Sequence, residues 1–129
     1  MLTVHHLGIS QSDRIVWLCE ELAIPYDLVR YDRDPVTRLA PATYKALHPA
    51  GTAPVITDDA LALSESGAIV DYIVARYGNG RLTLPSDHPD YARFLYWCHF
   101  ANGSLMPAMM MLMGEGGMAQ VMRDRIARC

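Results

Sequence analysis

The order in which strand-like and helix-like segments follow one another constrains this chain more than any other feature. Leu2–Leu7 is a short strand candidate that Gly8 bounds, and Tyr26–Tyr31 alternates as a second strand. Between them apolar residues recur at helical spacing from Asp13 to Ala23. A strand, a helix and a strand in succession predict a right-handed crossover between two parallel strands. Two later strands, Val55–Thr57 and Leu61–Leu63, are separated by only a tight turn, which predicts an antiparallel pair.

The remaining segments complete a β-α-β-α-β-β-α order. A weaker helical pattern runs over Val36–Leu47, Asp58 and Asp59 are the predicted hairpin turn, and Ser66–Tyr77 is the clearest helix. We therefore expect an α/β fold in which helices cover a mixed four-stranded sheet, the thioredoxin-like arrangement, over residues 1–79.

The rest of the chain carries a different pattern. Residues 80–89 contain two prolines and are predicted to be a linker, and an aromatic-rich helix follows. Asn102-Gly103 and Pro107 should kink or break that helix. Another helix is expected from Met118, and the chain ends within its pattern. Residues 90–129 are therefore expected to be the start of an all-α domain that is cut off.

Methionines are concentrated in this second part. Five of them fall within one helical stretch: Met106, Met109, Met110, Met111 and Met113. Because thioethers adapt to varied shapes, this face could line a pocket or form a dimer contact. Ordinary core packing is the best supported of the three interpretations.

Composition excludes several classes of protein. Of the 129 residues, 51% are apolar and 19% are charged, which indicates a globular chain rather than a disordered one. The net charge is -3 and Lys45 is the only lysine, so no surface for nucleic acid is expected. Cys19, Cys98 and Cys129 fit neither a disulfide framework nor a CxxC redox or zinc pattern, so no metal is expected. No secretory signal or membrane-spanning run is visible, and we expect a soluble cytoplasmic protein without membrane partners.

Two nearby stretches look like half-sites for one ligand. Pro54 opens a strand, and an X-Pro bond is the peptide bond that becomes cis at low cost, so Ala53 could offer its N–H and C=O to a ligand as a strand would. Further on, Ser64 or Ser66 can cap a helix, and Glu65 suits its first turn. A helix N-terminus attracts a carboxylate through its free N–H groups and its dipole. The first stretch therefore suits a peptide backbone and the second a carboxylate.

These stretches and four others together resemble the cytosolic glutathione S-transferases, with the look of the bacterial serine-type members. The resemblance covers the whole first domain and the opening of the second. It is carried by Ser10–Leu18, Glu20–Leu22, Pro25-Tyr26, His48–Val55, Ser64–Ile69 and Tyr72-Ile73. It implies a domain that binds glutathione as a co-substrate, and a helical domain that supplies the pocket for a small electrophile.

The resemblance also implies roles for individual residues in binding glutathione. Ala53, before a cis Pro54, would pair through its backbone with the cysteinyl part of glutathione. Glu65 would hold the amino group of the γ-glutamyl end, and Ser66 its carboxylate. Thr52 stands where family members often carry lysine or glutamine, which weakens recognition of the glycyl carboxylate.

Two serines after the first strand are candidates for the activation of the thiol. The resemblance places at Ser10 the residue that stabilises the glutathione thiolate, and Ser12 is the second choice. No tyrosine is present in this loop, so activation by a tyrosine is not expected. Each serine has an alternative role as the cap of the first helix, and Ser12 is the better placed of the two for capping.

The function implied by the resemblance is that of a glutathione transferase acting in detoxification. Its thiolate would add to a small electrophile, or would reduce a peroxide or a disulfide. A homodimer is usual in this family, and an uncovered aromatic and methionine-rich helix would also favour association. The alternative is a binding or interaction module without turnover, which the short helical part favours.

Overall fold

The computed structural model describes residues 1–113, which divide into two compact units, Met1–Leu82 and the residues from Thr83 onward. The strands are β1 Leu2–Leu7, β2 Asp27–Tyr31, β3 Val55–Asp58 and β4 Leu61–Ser64. The helices are α1 Asp13–Glu21, α2 Ala42–Lys45, α3 Ser66–Tyr77, α4 Tyr91–Phe100 and α5 Met106–Met113. The elements predicted within residues 1–113 occur in the predicted order, although the helix expected over Val36–Leu47 is reduced to α2.

The four strands form one mixed sheet in the order β2-β1-β3-β4. β1 pairs with β2 in parallel, as the crossover through α1 requires, and with β3 antiparallel. The hairpin adds β4 to the other side of β3. The predicted α/β, thioredoxin-like fold is confirmed.

Alternation along β1 sends its side chains to two separate cores. Leu2 and Val4 face a cluster that α1 and α3 cover, and its buried members are Leu2, Val4, Ile15, Cys19, Leu22, Ile56, Ile69 and Ile73. Leu7 faces a smaller cluster with Tyr44 of α2 and Val55 of β3. The sheet therefore lies between α1 and α3 on one face and α2 on the other.

The helix predicted over Val36–Leu47 is wrong for most of its length, since only Ala42–Lys45 is helical. Asp34 binds the backbone N–H groups of two following residues through its side chain, which forms a turn instead of a helix. Arg38 has a φ of 60°, outside the helical region. Local hydrogen bonding thus overrides the weak apolar periodicity.

The predicted hairpin turn is displaced by one residue. Asp58 belongs to β3, and the turn consists of Asp59, with a φ of 52°, and Ala60. The Asp58 carboxylate is buried and accepts hydrogen bonds from the hydroxyl groups of Tyr72, at 2.8 Å, and Tyr77. These partners at α3 hold the carboxylate in the structure, so Asp58 is not free to form the turn.

The second unit contains a helix whose regular pattern is interrupted where the sequence predicts a break. Ala101–Leu105 is π-helical, between α4 and α5. An open groove of about 370 Å³ runs along α4 and this segment, lined by Ala92, Leu95, Tyr96, His99, Phe100, Gly103 and Ser104. Met109 and Met111 are 44% and 73% exposed, so core packing is the wrong interpretation for these two methionines. The helix predicted from Met118 lies outside the described residues.

Within residues 1–113, no helix combines the length and the apolar character that crossing a membrane would need.

Candidate functional site

The end of β1, the start of β3 and the end of β4 lie side by side at one end of the sheet. The first residue of β3, Val55, lies opposite His5 of β1 and also opposite Ser64, the last residue of β4. The loop that follows β1, the loop that precedes β3 and the start of α3 therefore leave the sheet side by side. These three segments carry all the site residues that the sequence predicts.

The first half-site is the loop that precedes β3. The Ala53–Pro54 peptide bond is cis, as predicted. The Ser64 hydroxyl donates to the carbonyl of Pro54 at 3.2 Å, which fastens this loop to the end of β4. Ala53 lies before β3 and outside its ladder, and Thr52 beside it is partly exposed. That Ala53 offers its backbone to a ligand remains a prediction.

The second half-site is the start of α3. Glu65 occupies the N-cap position with a φ of 75° and a ψ of 114°, and its side chain makes no capping hydrogen bond. A positive φ at a residue other than glycine costs on the order of 1–3 kcal/mol and persists where surrounding contacts impose it. The predicted capping by Ser64 or Ser66 is wrong, because Ser64 binds Pro54 and Ser66 is the first residue of the helix.

Ser66 connects the two sides of the site. Its side chain is nearly buried, and its hydroxyl donates to Oε1 of Gln11 at 3.1 Å. Gln11 lies between the two candidate serines in the loop after β1, so this bond ties that loop to the start of α3. Sequence reasoning missed Gln11. Its position between Ser10 and Ser12 was the one feature of the sequence that could have indicated a role in the site.

The hydroxyl groups of Ser10 and Ser12 lie 2.8 Å apart and bind each other. Ser10 Oγ also donates to the carbonyl of Leu7 at 2.6 Å and accepts the N–H of Ser12 at 3.1 Å. Ser10 is partly exposed, whereas Ser12 is fully buried. Ser12 occupies the N-cap position of α1, as predicted, but its hydroxyl makes no capping bond there and instead accepts the N–H of Leu7 at 3.1 Å.

The adjacent histidines of β1 have different partners, as expected for neighbours that point to opposite faces of a strand. His5 is buried, with Nδ1 3.2 Å from the Tyr31 hydroxyl and Nε2 3.1 Å from Oγ1 of Thr57, and burial lowers its pKa. His6 faces α1, where its Nδ1 lies 2.9 Å from the Ser12 hydroxyl. The contact between His6 and Ser12 was not predicted, since spacing alone does not show that the loop folds back onto β1.

Arg33 is a second residue that sequence reasoning missed. Its Nε donates to the carbonyl of Gly8 at 2.8 Å, and its Nη2 donates to that of Ile9 at 3.0 Å. Its Nη1 binds the carbonyl of Arg38 at 2.9 Å. One guanidinium thus holds the loop that carries Ser10. Nothing in the local sequence signals this role, because the partners are backbone atoms distant in the chain.

The cysteines of the described part do not form a reactive centre. Cys19 is buried as predicted, and burial raises the pKa of its thiol to about 11, so it is uncharged at neutral pH. Cys98 is exposed on α4. Over residues 1–113, no three side chains of the metal-binding types come together.

The architecture of the first unit defines its class. A mixed sheet in the order β2-β1-β3-β4, with two helices on one face, one on the other and a cis proline before β3, is a thioredoxin-like domain. The family profile described as "Glutathione S-transferase, N-terminal domain" matches residues 10–76, more than half of the chain. The chain belongs to the glutathione S-transferase family.

Individual relatives agree with this assignment. Glutathione S-transferase 3 of Schizosaccharomyces pombe is 40% identical over 83% of this chain and 43% of the yeast protein. Among solved structures, a glutathione S-transferase of Actinobacillus pleuropneumoniae has a TM-score of 0.78 at 35% identity, covering 98% of this chain and 61% of that one. A glutathione transferase homologue of Sulfitobacter with bound glutathione has a TM-score of 0.69 at 28% identity, covering 85% of this chain and 52% of that one. This chain thus spans less than two thirds of the length of each of these proteins.

Proposed function

We propose that this chain provides the glutathione site of a glutathione transferase. The observation that carries the proposal is the meeting of three elements at one end of the sheet: the backbone of Ala53, the start of α3 at Ser66, and the hydroxyl of Ser10. The similarity to the Sulfitobacter homologue, which was solved with bound glutathione, supports the same ligand.

In this proposal, glutathione binds along the end of the sheet. Ala53 pairs with the cysteinyl part through its backbone N–H and C=O, next to the cis Pro54. The γ-glutamyl carboxylate lies at the N-terminus of α3, where Ser66 and the positive end of the helix dipole attract it. Glu65 holds the γ-glutamyl amino group, and Thr52 makes a weak contact towards the glycyl end.

Ser10 stabilises the thiolate of the bound glutathione. A thiol is a poor nucleophile, so conjugation requires the anion. A hydroxyl that donates to sulfur favours this anion, and lowering the thiol pKa by roughly two units corresponds to about 2.7 kcal/mol. Because Ser12 is fully buried, we assign to it the support of Ser10 rather than a contact with glutathione.

The reaction is nucleophilic attack by the thiolate on a small electrophile. A sulfur–carbon bond forms, and either a leaving group departs with its electron pair or the negative charge on the adduct is protonated by solvent. The same thiolate would reduce a peroxide or a disulfide if a second glutathione completes the exchange. We further propose a cytoplasmic homodimer that acts in detoxification, as the family resemblance implies.

A binding module without turnover is the second candidate function. The chain spans 43% of the length of the yeast relative, so turnover needs a test of its own. Turnover of an activated aryl halide separates the two candidates, because a binding module would bind glutathione and leave the halide unchanged.

Calorimetric titration of the 129-residue chain with reduced glutathione tests the site. We expect saturable binding that Ser66→Ala weakens by about tenfold or more, since one bond to a carboxylate is lost. Ser86→Ala is the matched control, because Ser86 is an exposed serine of the second unit. Absence of binding by a chain with an intact circular dichroism spectrum would refute the proposal.

The role of Ser10 is tested separately from binding. Ser10→Ala should lower turnover of the aryl halide and leave the affinity for S-methylglutathione unchanged, because this ligand cannot form a thiolate. Turnover equal to that of the unmodified chain would remove Ser10 from the mechanism without affecting the binding site.

A further inference from the structure

A continuous series of polar contacts leads from the exposed side of Ser10 into the structure. Ser10 Oγ lies 2.8 Å from Ser12 Oγ, and Ser12 Oγ lies 2.9 Å from Nδ1 of His6. The other ring nitrogen of His6, Nε2, lies 3.7 Å from a carboxylate oxygen of Asp13. The side chain of His6 is 16% exposed and Ser12 is fully buried, so solvent does not interrupt the series at its centre.

We propose that His6 accepts the proton of the glutathione thiol through Ser10 and Ser12, as a positioning residue that does not touch the substrate. The proposal rests on the proposed function, because it requires glutathione to lie beside Ser10. The S–H bond of glutathione breaks and its proton goes to Ser10 Oγ, as Ser10 passes its own proton to Ser12. Ser12 passes its proton to Nδ1 of His6. The net change is one thiol converted to a thiolate and one neutral imidazole converted to an imidazolium, with no change of oxidation state.

Counting donors and acceptors shows that the series can exist before the transfer. A hydroxyl group has one hydrogen to donate and two lone pairs that accept. Before transfer, Ser12 donates to Nδ1 of His6 rather than to the Leu7 carbonyl at 3.1 Å, and it accepts the Leu7 N–H. The transfer requires Ser10 to turn its hydrogen from the Leu7 carbonyl, at 2.6 Å, towards Ser12. Ser10 accepts the N–H of Ser12 and has one lone pair left for the thiol of glutathione.

After the transfer the same contacts satisfy the two hydroxyl groups and the imidazole, whereas the Leu7 carbonyl loses the Ser10 hydroxyl. His6 then donates to Ser12, whose two lone pairs are filled by His6 and the Leu7 N–H. Ser12 donates to Ser10, whose two lone pairs are filled by the hydroxyl and the N–H of Ser12. Ser12 can then accept no hydrogen from Ser10, so the Ser10 hydrogen is left with two acceptors, the thiolate and the Leu7 carbonyl. A hydrogen bond to an anion is about twice as strong as a neutral one, so Ser10 donates to the thiolate.

The position of Asp13 fits the charged product of the transfer. A hydrogen on Nε2 of His6 faces the Asp13 carboxylate, so the positive charge that arises on the ring has an anion beside it. Arg30, the register partner of His6 on β2, is also charged and is exposed. Because Asp13 is 68% exposed and its oxygen lies beyond hydrogen-bond distance of Nε2, it contributes a solvent-screened attraction and not the buried, orienting contact of a serine, histidine and aspartate triad.

A count of protons tests the proposal. Binding of glutathione to the 129-residue chain is followed at neutral to mildly alkaline pH by two readouts. The ultraviolet absorbance of the thiolate counts the anions formed, and an indicator in weak buffer counts the protons released to solvent. The proton release that accompanies S-methylglutathione is subtracted, because it reports the other groups of the site.

We expect the unmodified chain to release clearly fewer protons than it forms thiolates, because His6 retains them. In His6→Asn the amide still binds Ser12 but takes up no proton, so about one proton should appear in solvent per thiolate. Ser12→Ala, which interrupts the series at its centre, should behave in the same way. His88→Asn is the control, since it replaces a histidine of the second unit whose Nδ1 accepts only a nearby backbone N–H.

The result that overturns the proposal is a release of about one proton per thiolate by the unmodified chain. If Ser10→Ala abolishes the thiolate in that case, the function proposed above stands and only the relay fails. If the thiolate forms as readily in Ser10→Ala, the relay and the role of Ser10 fail together. Absence of glutathione binding overturns both proposals.

Discussion

Arg33 offers a test of how the scaffold controls the site without contacting the ligand. Its guanidinium donates to the carbonyl groups of Gly8, Ile9 and Arg38 at 2.8 to 3.0 Å. It therefore ties the two residues that precede Ser10 to the segment that contains Arg38. Arg33→Lys keeps the positive charge but replaces a planar group with several donors by a single ammonium. The ammonium can reach one of the carbonyl groups at a time, so the loop loses its fixed position.

The size of the effect follows from the number of bonds lost. A hydrogen bond from a charged donor contributes about 1.5–3 kcal/mol when it is well buried. Because Arg33 is only half-buried, solvent screening reduces this to roughly 0.5–1 kcal/mol for each bond. Loss of two of the three bonds therefore costs roughly 1–2 kcal/mol, which corresponds to about a 5- to 30-fold change in an equilibrium.

Two measurements should report this change. Amide hydrogen exchange over Gly8–Ser12 should accelerate by about that factor, because the loop opens more often. The affinity for S-methylglutathione should weaken by up to the same factor, since the loop must be ordered for binding. The first measurement does not depend on the proposed function, whereas the second does.

Arg93→Lys is the control, since Arg93 is exposed on α4. Exchange over Gly8–Ser12 that is equal in Arg33→Lys and Arg93→Lys would refute the reasoning. It would mean that other contacts of the loop, such as that between Ser66 and Gln11, suffice to hold it.

Four further predictions concern the stability and the chemistry of the chain. Tyr44→Phe should lower the free energy of unfolding by about 1 kcal/mol in urea, because a buried hydroxyl that donates to the His5 carbonyl at 3.2 Å is lost, and an unchanged urea midpoint would contradict this. Stability should fall as the pH drops below 6.5, because burial lowers the pKa of His5 and the unfolded chain binds the proton first; this loss should be smaller in His5→Asn. A second loss should begin below pH 3.8, since the hydrogen bonds from Tyr77 and Tyr72 lower the pKa of Asp58, and a flat urea midpoint through this range would contradict that assignment. Cys19 should resist alkylation in the native chain at neutral pH while Cys98 reacts, and peptide mass analysis that finds Cys19 labelled as fast as Cys98 would show that the core opens freely.

Much of the fold could be predicted because its elements have strong local signals. The bounds of α3 at Ser66–Tyr77 and of β1 at Leu2–Leu7 agree with the apolar periodicity, and the order of elements implies the mixed sheet. The failures occur where a local contact opposes a weak pattern. The segment Val36–Pro41 turns because the Asp34 side chain binds its backbone, and Asp58 stays in its strand because tyrosines of α3 bind its carboxylate.

The sequence by itself determined the order of the elements, the family and the three segments that carry the candidate site. Backbone propensity, apolar spacing and proline chemistry act over a few residues, so they are readable along the chain. The tertiary structure alone decided which side chains support those segments. His6 contacts Ser12, Gln11 contacts Ser66, and Arg33 reaches the loop before Ser10. These contacts arise from the register of strands and loops that meet at one end of the sheet, and a hydrogen bond across such a distance leaves no periodic signal in the sequence.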